Sequence, residues 1–112
     1  MDDLEQRVFA ALSDPTRRQL VESLASTENI TATELANVLP MTRQGVTKHL
    51  KILVQAELVQ SHKIGREMLY SLNPEPLTKT TVWIANITAQ WDRRLQKLTD
   101  YLLDEDEEVD GG

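Results

Sequence analysis

Residues 42–53 have the sequence TRQGVTKHLKIL, which contains the strongest structural signal in the chain. Val46, Leu50 and Leu53 recur at the spacing of one face of an α-helix, so this stretch predicts an amphipathic helix with that face buried. The opposite face carries basic and amide side chains beside short hydroxyls, which reach bases and phosphates in a DNA major groove. We therefore interpret the stretch as a DNA recognition helix. The expected DNA contacts within it are Thr42, Arg43, Gln44, Thr47 and Lys48.

A shorter helix is expected immediately before the recognition helix. Thr31 is followed three residues later by a glutamate, the pattern of a capping box, and opens a helix containing Leu35 and Val38. The proline that follows ends this helix, because proline cannot continue a helix. The Thr42 hydroxyl then caps the recognition helix. Two helices joined by so short a turn form a helix-turn-helix, which we place at about residues 31–56.

Two further helices are predicted near the start of the chain. Apolar residues at helical spacing indicate the first over residues 3–12. Asp14 and Pro15 supply a cap and a first helical residue for the second, which extends to about residue 25. The expected buried face of this second helix consists of Leu20, Val21 and Leu24.

The hydrophobic period changes after the recognition helix. Residues 58–64 and 67–72 resemble two short strands, and Gly65 and Arg66 between them form a two-residue hairpin turn. The predicted fold class is therefore mainly α with a small β-hairpin wing at about residues 58–72. Further basic residues are expected to contact phosphates, which position a protein on DNA without recognising sequence. These residues are Lys51, Lys63 and Arg66.

The last predicted element is a long amphipathic helix over residues 80–103, after a break at residues 73–76. A helix of this length spans about 36 Å, which is longer than the core of so small a chain can cover. An uncovered apolar helix face usually contacts a partner, and a two-fold homodimer is the simplest partner. The first helix is expected to join this dimer interface. The predicted interface residues are Leu4, Val8, Ile84, Ile87, Trp91, Leu95, Leu98 and Leu102.

Charge is distributed unevenly along the chain, whose formal net charge is −6. Residues 41–66 contain five lysine and arginine residues against one glutamate, so they carry +4 and the remainder carries −10. Charges farther apart than about 8 Å are largely screened at physiological salt, so the local positive charge favours phosphate binding. The acidic residues 105–112 are interpreted as a disordered tail, and competition of this tail with DNA for the basic surface is the alternative.

Length and composition indicate one domain, at residues 1–104 of a chain of 112 residues. The absence of cysteine excludes disulfides and thiolate metal sites and is typical of a cytoplasmic protein. The sequence has no signal-peptide pattern, no membrane-spanning apolar run, no Gly-rich phosphate loop and no nucleophile with a neighbouring base. We therefore expect a soluble, cytoplasmic, non-enzymatic protein with no cofactor, no metal site and no membrane partner.

Several segments together resemble the ArsR-type (arsenical-resistance repressor) family of winged helix-turn-helix regulators. ALSDPTRR at residues 11–18 resembles the opening of the family's second helix. TKHLKIL at residues 47–53 and AELV at residues 56–59 resemble its helix-turn-helix, and residues 65–70 resemble its wing. The resemblance covers about residues 5–76. It implies a homodimeric bacterial or archaeal repressor of transcription that binds an operator palindrome in double-stranded DNA.

The chain departs from this family at the positions of metal ligands. Metal-sensing members carry a Cys-x-Cys pair on the third helix, where this chain has ELANV at residues 34–38. Others carry Asp, His and Glu ligands on the C-terminal helix, where this chain has Asp92 but no histidine. A first-row metal site needs several converging N, O or S ligands. The resemblance therefore does not imply metal sensing here.

Two alternative functions compete with simple repression. A protein-interaction module would keep the fold and bind a partner protein through the C-terminal helix, which the apolar face and the acidic tail favour and the basic recognition helix does not. A DNA-binding sensor would also bind a small-molecule effector at the dimer interface, although no residue pattern identifies that ligand.

His49 is expected to be a packed or hydrogen-bonded residue rather than a pH sensor or a ligand.

Overall fold

The computed structural model describes the backbone of residues 2–110 and the side chains of residues 2–104. It confirms the predicted fold class, mainly α with one antiparallel β-hairpin. Backbone contacts divide the chain into two units after Thr80. The elements in chain order are α1 (Asp3–Ala11), α2 (Pro15–Ser26), α3 (Ala32–Val38), α4 (Arg43–Gln55), β1 (Val59–Ile64), β2 (Glu67–Leu72) and α5 (Glu75–Asp110).

Side-chain caps determine where the helices begin. Asp14 and Thr42 each accept a hydrogen bond from the backbone N–H three residues later, at 3.0 Å in both cases. Thr31 and Glu34 form the predicted capping box, in which each side chain accepts from the backbone N–H of the other residue. A cap contributes about 1 kcal/mol to stability, so these local bonds set the starts of α2, α3 and α4. The three predicted starts are confirmed.

A cluster of buried aliphatic side chains forms the core of the first unit. α4 contributes Val46, Leu50 and Leu53, which are fully buried as predicted. Burial of one such side chain contributes about 1.5–3 kcal/mol, so a rotation of α4 about its axis would be costly. The opposite face of α4 is therefore held outward. The other fully buried large side chains are Val8, Leu20, Leu35 and Leu58.

The buried face of α3 differs from the one that its apolar residues indicated. Leu35 is fully buried, but Val38 is 69% exposed. At 3.6 residues per turn, Val38 lies about 60° around the helix axis from Leu35 in one direction. The partly buried Ala36 and Leu39 lie in the other direction and pack against the core. Val21, predicted on the buried face of α2, is likewise only half-buried.

Val8 does not fit the predicted dimer interface. Its side chain is 1% exposed and packs in the core of its own chain. The reason is helical phase, since α1 turns Glu5, Val8 and Ala11 inward together. Leu4 is half-buried. The prediction for Val8 is therefore wrong, because a side chain enclosed by its own chain has no surface left for a partner.

The β1–β2 hairpin forms as predicted, and we refer to it below as the wing. Six residue pairs make its antiparallel ladder. Gly65 opens the turn with a φ of +63°, which this position requires and which glycine adopts without strain. Ile30 and Tyr70 exchange backbone hydrogen bonds of 3.0 and 2.8 Å. This pair fastens the wing to the segment between α2 and α3, an attachment that the sequence pattern did not reveal.

α5 begins and ends outside its predicted limits. It starts at Glu75 because Pro76 lies in the first turn, where the missing N–H would have no helical partner. The backbone remains helical to Asp110, since no proline or glycine interrupts the chain before that point. The disordered tail was predicted for residues 105–112. Residues 111 and 112 and the side chains of residues 105–110 lie outside the described residues. No helix within residues 2–110 has the length and apolar content to cross a membrane.

The backbone conformation at Glu57, which follows the end of α4, has a free-energy cost that can be tested by mutation. Glu57 follows the helix with a φ of +64°. We predict that Glu57→Gly raises the free energy of unfolding by about 0.5–1 kcal/mol, because glycine avoids the roughly 1–2 kcal/mol cost of this conformation. The ion pair lost with the side chain, Arg7 to Glu57 at 3.9 Å, is exposed and contributes little.

Urea unfolding measures this effect. Glu57→Ala is the matched control, since it removes the same carboxylate but keeps the β-carbon that causes the strain. A Glu57→Gly protein no more stable than Glu57→Ala would show that the positive φ costs nothing.

Candidate nucleic-acid interface

The outward face of α4 presents a row of free polar side chains. In the part of the chain that the structure describes, the side chains of Arg43, Gln44, Lys48 and Lys51 form no hydrogen bond and no ion pair, and all four are exposed. α4 contains no aspartate or glutamate between Arg43 and Gln55. Its donors are therefore not neutralised within the helix and remain available to an acceptor-rich partner such as duplex DNA.

A groove of about 500 Å³ separates the first half of α4 from the wing. Arg43 and Thr47 line it from α4, and Arg66 lines it from the wing turn. We call this cavity the α4–wing groove. The structure thus brings three of the predicted contacts together around one opening. The remaining lining residues are Thr31, Ala32, Thr33, Glu34, Glu67, Met68 and Tyr70.

The other predicted contacts lie outside the α4–wing groove. Gln44, Lys48 and Lys51 are on the exposed side of α4 but do not line the groove. Lys63 is exposed on β1, opposite Met68 in the ladder. These side chains lie outside the groove but on the same two elements, α4 and the wing. The candidate interface is therefore a surface that spans α4 and the wing rather than a closed pocket.

Long-range pairing positions the wing beside α4. The Ile30–Tyr70 bond pair ties β2 to the residue that precedes the cap of α3. Tyr70 and Met68 consequently line the α4–wing groove together with Thr33. Sequence reasoning missed these three residues. The only local signal nearby was the Thr31 capping box, which locates the start of α3 but not the strand that reaches it.

Two threonine hydroxyls of the candidate interface are engaged within α4. The Thr42 Oγ1 accepts from the Gly45 backbone N–H at 3.0 Å. The Thr47 hydroxyl donates to the Arg43 carbonyl oxygen at 2.9 Å. A β-carbon on Gly45 would meet that same Thr42 Oγ1 at 3.3 Å rather than another backbone segment. The glycine therefore leaves room for the cap, and Thr47 has no free hydroxyl proton to offer DNA.

His49 lies on the inner flank of α4 and belongs to the support of the interface. Its Nδ1 is buried and has no hydrogen-bond partner among the described residues. The pKa of the Asp14 carboxyl lies below its ordinary value, first because the Arg17 backbone N–H donates to it, and also because the Arg17 guanidinium and His49 are nearby. His62 is exposed on β1. Across the side chains that are described, no three His, Cys, Asp or Glu residues come together where they could share a metal ion.

Known proteins are similar to this chain in sequence. A family described as a helix-turn-helix domain matches residues 12–62. The transcriptional repressor SdpR of Bacillus subtilis is 35% identical over 88 residues, which cover 79% of this chain and 97% of that protein. The HTH-type transcriptional regulator Rv2034 of Mycobacterium tuberculosis is 42% identical over 71 residues, which cover 63% of this chain and 65% of that protein.

Similarity extends to solved structures. An ArsR-like transcriptional regulator from Rhodococcus sp. RHA1 superposes with a TM-score of 0.77 and is 40% identical, over 87% of this chain and 88% of that one. A crystal structure of a second ArsR family transcriptional regulator has a TM-score of 0.71 and 30% identity, over 80% of this chain and 92% of that one. The similarity therefore covers most of the chain.

Proposed function

This chain belongs to the ArsR-type family of winged helix-turn-helix transcriptional regulators, which bind DNA, and we propose that it is a homodimeric repressor of transcription. In this proposal the dimer binds an operator palindrome. The observation that supports this proposal most strongly is the outward face of α4. There, basic and amide side chains are exposed and unpaired within the described residues. A basic surface of this kind attracts DNA phosphates even in a chain of net charge −6, since screening makes the local charge decisive.

The proposed roles follow from side-chain chemistry. Arg43 and Lys48 match the O6 and N7 acceptors of guanine, and Gln44 matches adenine. Lys51, Lys63 and Arg66 contact phosphates, which position the protein. Thr42 caps α4, whose first backbone N–H groups also favour a nearby phosphate.

Dimerisation through α5 accounts for the apolar face of that helix. Trp91 is 57% exposed, and the other members of the stripe are exposed to a similar extent: Ile84, Ile87, Leu95, Leu98 and Leu102. A continuous apolar stripe of this length is rarely left in water. A second copy covers it symmetrically, since each copy presents the same surface. Two recognition helices in one dimer would place the half-sites about 10–10.5 base pairs apart.

The rival function is a protein-interaction module that binds a partner protein through α5. The exposed stripe on α5 is the observation that favours it. The two functions differ in their response to salt, because each phosphate contact releases counterions and steepens the loss of affinity as salt rises. A chain that retains no DNA even at low salt would be an interaction module.

The assignment of base and phosphate contacts generates a first prediction. Arg43→Ala and Lys48→Ala are expected to weaken specific binding by about 5- to 150-fold each, since a good base contact contributes roughly 1–3 kcal/mol of discrimination. Lys63→Ala is expected to weaken binding to all DNA sequences alike, because it removes one phosphate contact. It is also expected to reduce the slope of log affinity against log salt concentration by about one. Fluorescence-anisotropy titrations with specific and scrambled duplexes measure both effects.

Lys97→Ala on α5 is the matched control, since it removes an exposed lysine far along the chain from α4. It is expected to leave specific affinity nearly unchanged. If Arg43→Ala and Lys48→Ala bind the operator as tightly as the wild type, these residues are not the base contacts.

The proposed dimer interface generates a second prediction. Leu95→Glu places a charge in the middle of the exposed stripe and is expected to make the protein monomeric, because an unpaired charge is costly to bury. Asn86→Glu is the control, since Asn86 is exposed on the opposite side of α5. Sedimentation velocity distinguishes the two species. A monomeric wild type, or a Leu95→Glu protein that still dimerises, would refute the interface.

A further inference from the structure

The side chain of Thr47 is oriented by a bond within its own helix. Its hydroxyl donates to the Arg43 carbonyl oxygen at 2.9 Å, and a carbonyl can only accept, so the direction of this bond is unambiguous. Thr47 is exposed and lies on the same row of α4 as Arg43 and Lys51, four residues away on either side. It therefore faces outward with its only hydrogen-bond donor already in use.

The engaged hydroxyl changes what Thr47 offers to a base pair. Guanine O6 and N7, adenine N7 and thymine O4 are acceptors and need a donor, which Thr47 can supply only by giving up its helical bond. What remains on the side chain is the Cγ2 methyl group and the lone pairs of the oxygen. The thymine C5-methyl group is the one apolar feature in the major groove, and threonine methyl groups contact it well.

The surroundings of Thr47 include apolar atoms. It lines the α4–wing groove, where Ala32, Met68 and Tyr70 supply apolar atoms beside polar and charged side chains that include Glu34 and Glu67. A thymine methyl group that contacts the Thr47 methyl group removes apolar surface of both from water, which is favourable. We infer that Thr47 recognises a thymine in the operator through its methyl group. This inference rests on the proposed function of α4 as the recognition helix.

The position of Arg43 on α4 predicts how far a second contacted base lies from that thymine. Its guanidinium forms no hydrogen bond or ion pair within the described residues and lines the same groove. Residues four apart on a helix are separated by about 6 Å along the axis, and successive base pairs by about 3.4 Å. With α4 lying along the major groove, the guanine contacted by Arg43 therefore lies within about two base pairs of the thymine contacted by Thr47.

The experiment first selects tight-binding duplexes from a random library with the full-length wild type. Each thymine is then replaced in turn by uracil, which removes only the C5-methyl group. One replacement per half-site, within about two base pairs of a guanine, is expected to weaken binding about four-fold, the factor corresponding to burial of one methyl-sized group.

Two variants separate the methyl group from the hydroxyl. Thr47→Val keeps the methyl group and removes the hydroxyl, and is expected to retain the affinity of the wild type and its sensitivity to uracil. Thr47→Ser keeps the hydroxyl and its helical bond and removes the methyl group. It is expected to bind the thymine duplex about four-fold more weakly than the wild type does. It is also expected to bind the thymine and uracil duplexes with equal affinity.

The outcomes distinguish this inference from the proposed function. If selection enriches no sequence, the proposed function of sequence-specific DNA binding is overturned. If a specific duplex is obtained but no thymine is sensitive to uracil, the methyl contact alone is overturned. A Thr47→Val protein that loses specific binding also overturns it, because the hydroxyl rather than the methyl group would then contact DNA. A Thr47→Ser protein that stays sensitive to uracil overturns it too, because another residue would then contact the thymine methyl group.

Discussion

The burial of one face of α4 is the constraint on which the remaining structure depends. Val46, Leu50 and Leu53 are fully buried, and their helical spacing fixes the rotation of α4 about its axis. With that rotation fixed, Arg43 and Lys48 must lie outside, where the surrounding water favours charged side chains. The same thirteen-residue helix therefore stabilises the first unit and presents the proposed DNA contacts. A change in the core face would alter the direction of every side chain on the outer face.

Hydrogen bonding within α4 refines this division between core and surface. Threonine is exposed at positions 42 and 47, but both hydroxyls are used locally, one to cap the helix and one to bond a carbonyl four residues earlier. The charged and amide groups remain free within the described residues. An acidic chain can therefore carry a DNA-binding surface, because residues 41–66 carry +4 around the proposed contact, although Glu34 and Glu67 also line the α4–wing groove.

Local signals account for what the sequence predicted correctly. Caps at Asp14, Thr31 and Thr42 and the apolar period of α4 depend on residues a few positions apart. Features that depend on distant residues were not predictable in this way. The Ile30–Tyr70 pair joins segments forty residues apart, and it places Tyr70 and Met68 at the α4–wing groove. Val8 was misassigned for a related reason, since an apolar side chain on a short helix suits a dimer interface and a core equally well.

Chemical-shift mapping by NMR tests the central claim, that α4 and the wing together form the DNA-binding surface. The spectrum of the isotopically labelled full-length protein is recorded as a selected duplex is added. We predict that the largest backbone amide shifts fall at residues 42–51 and 62–67. Shifts confined to α5, with residues 42–51 unchanged, would contradict the account and favour an interaction module.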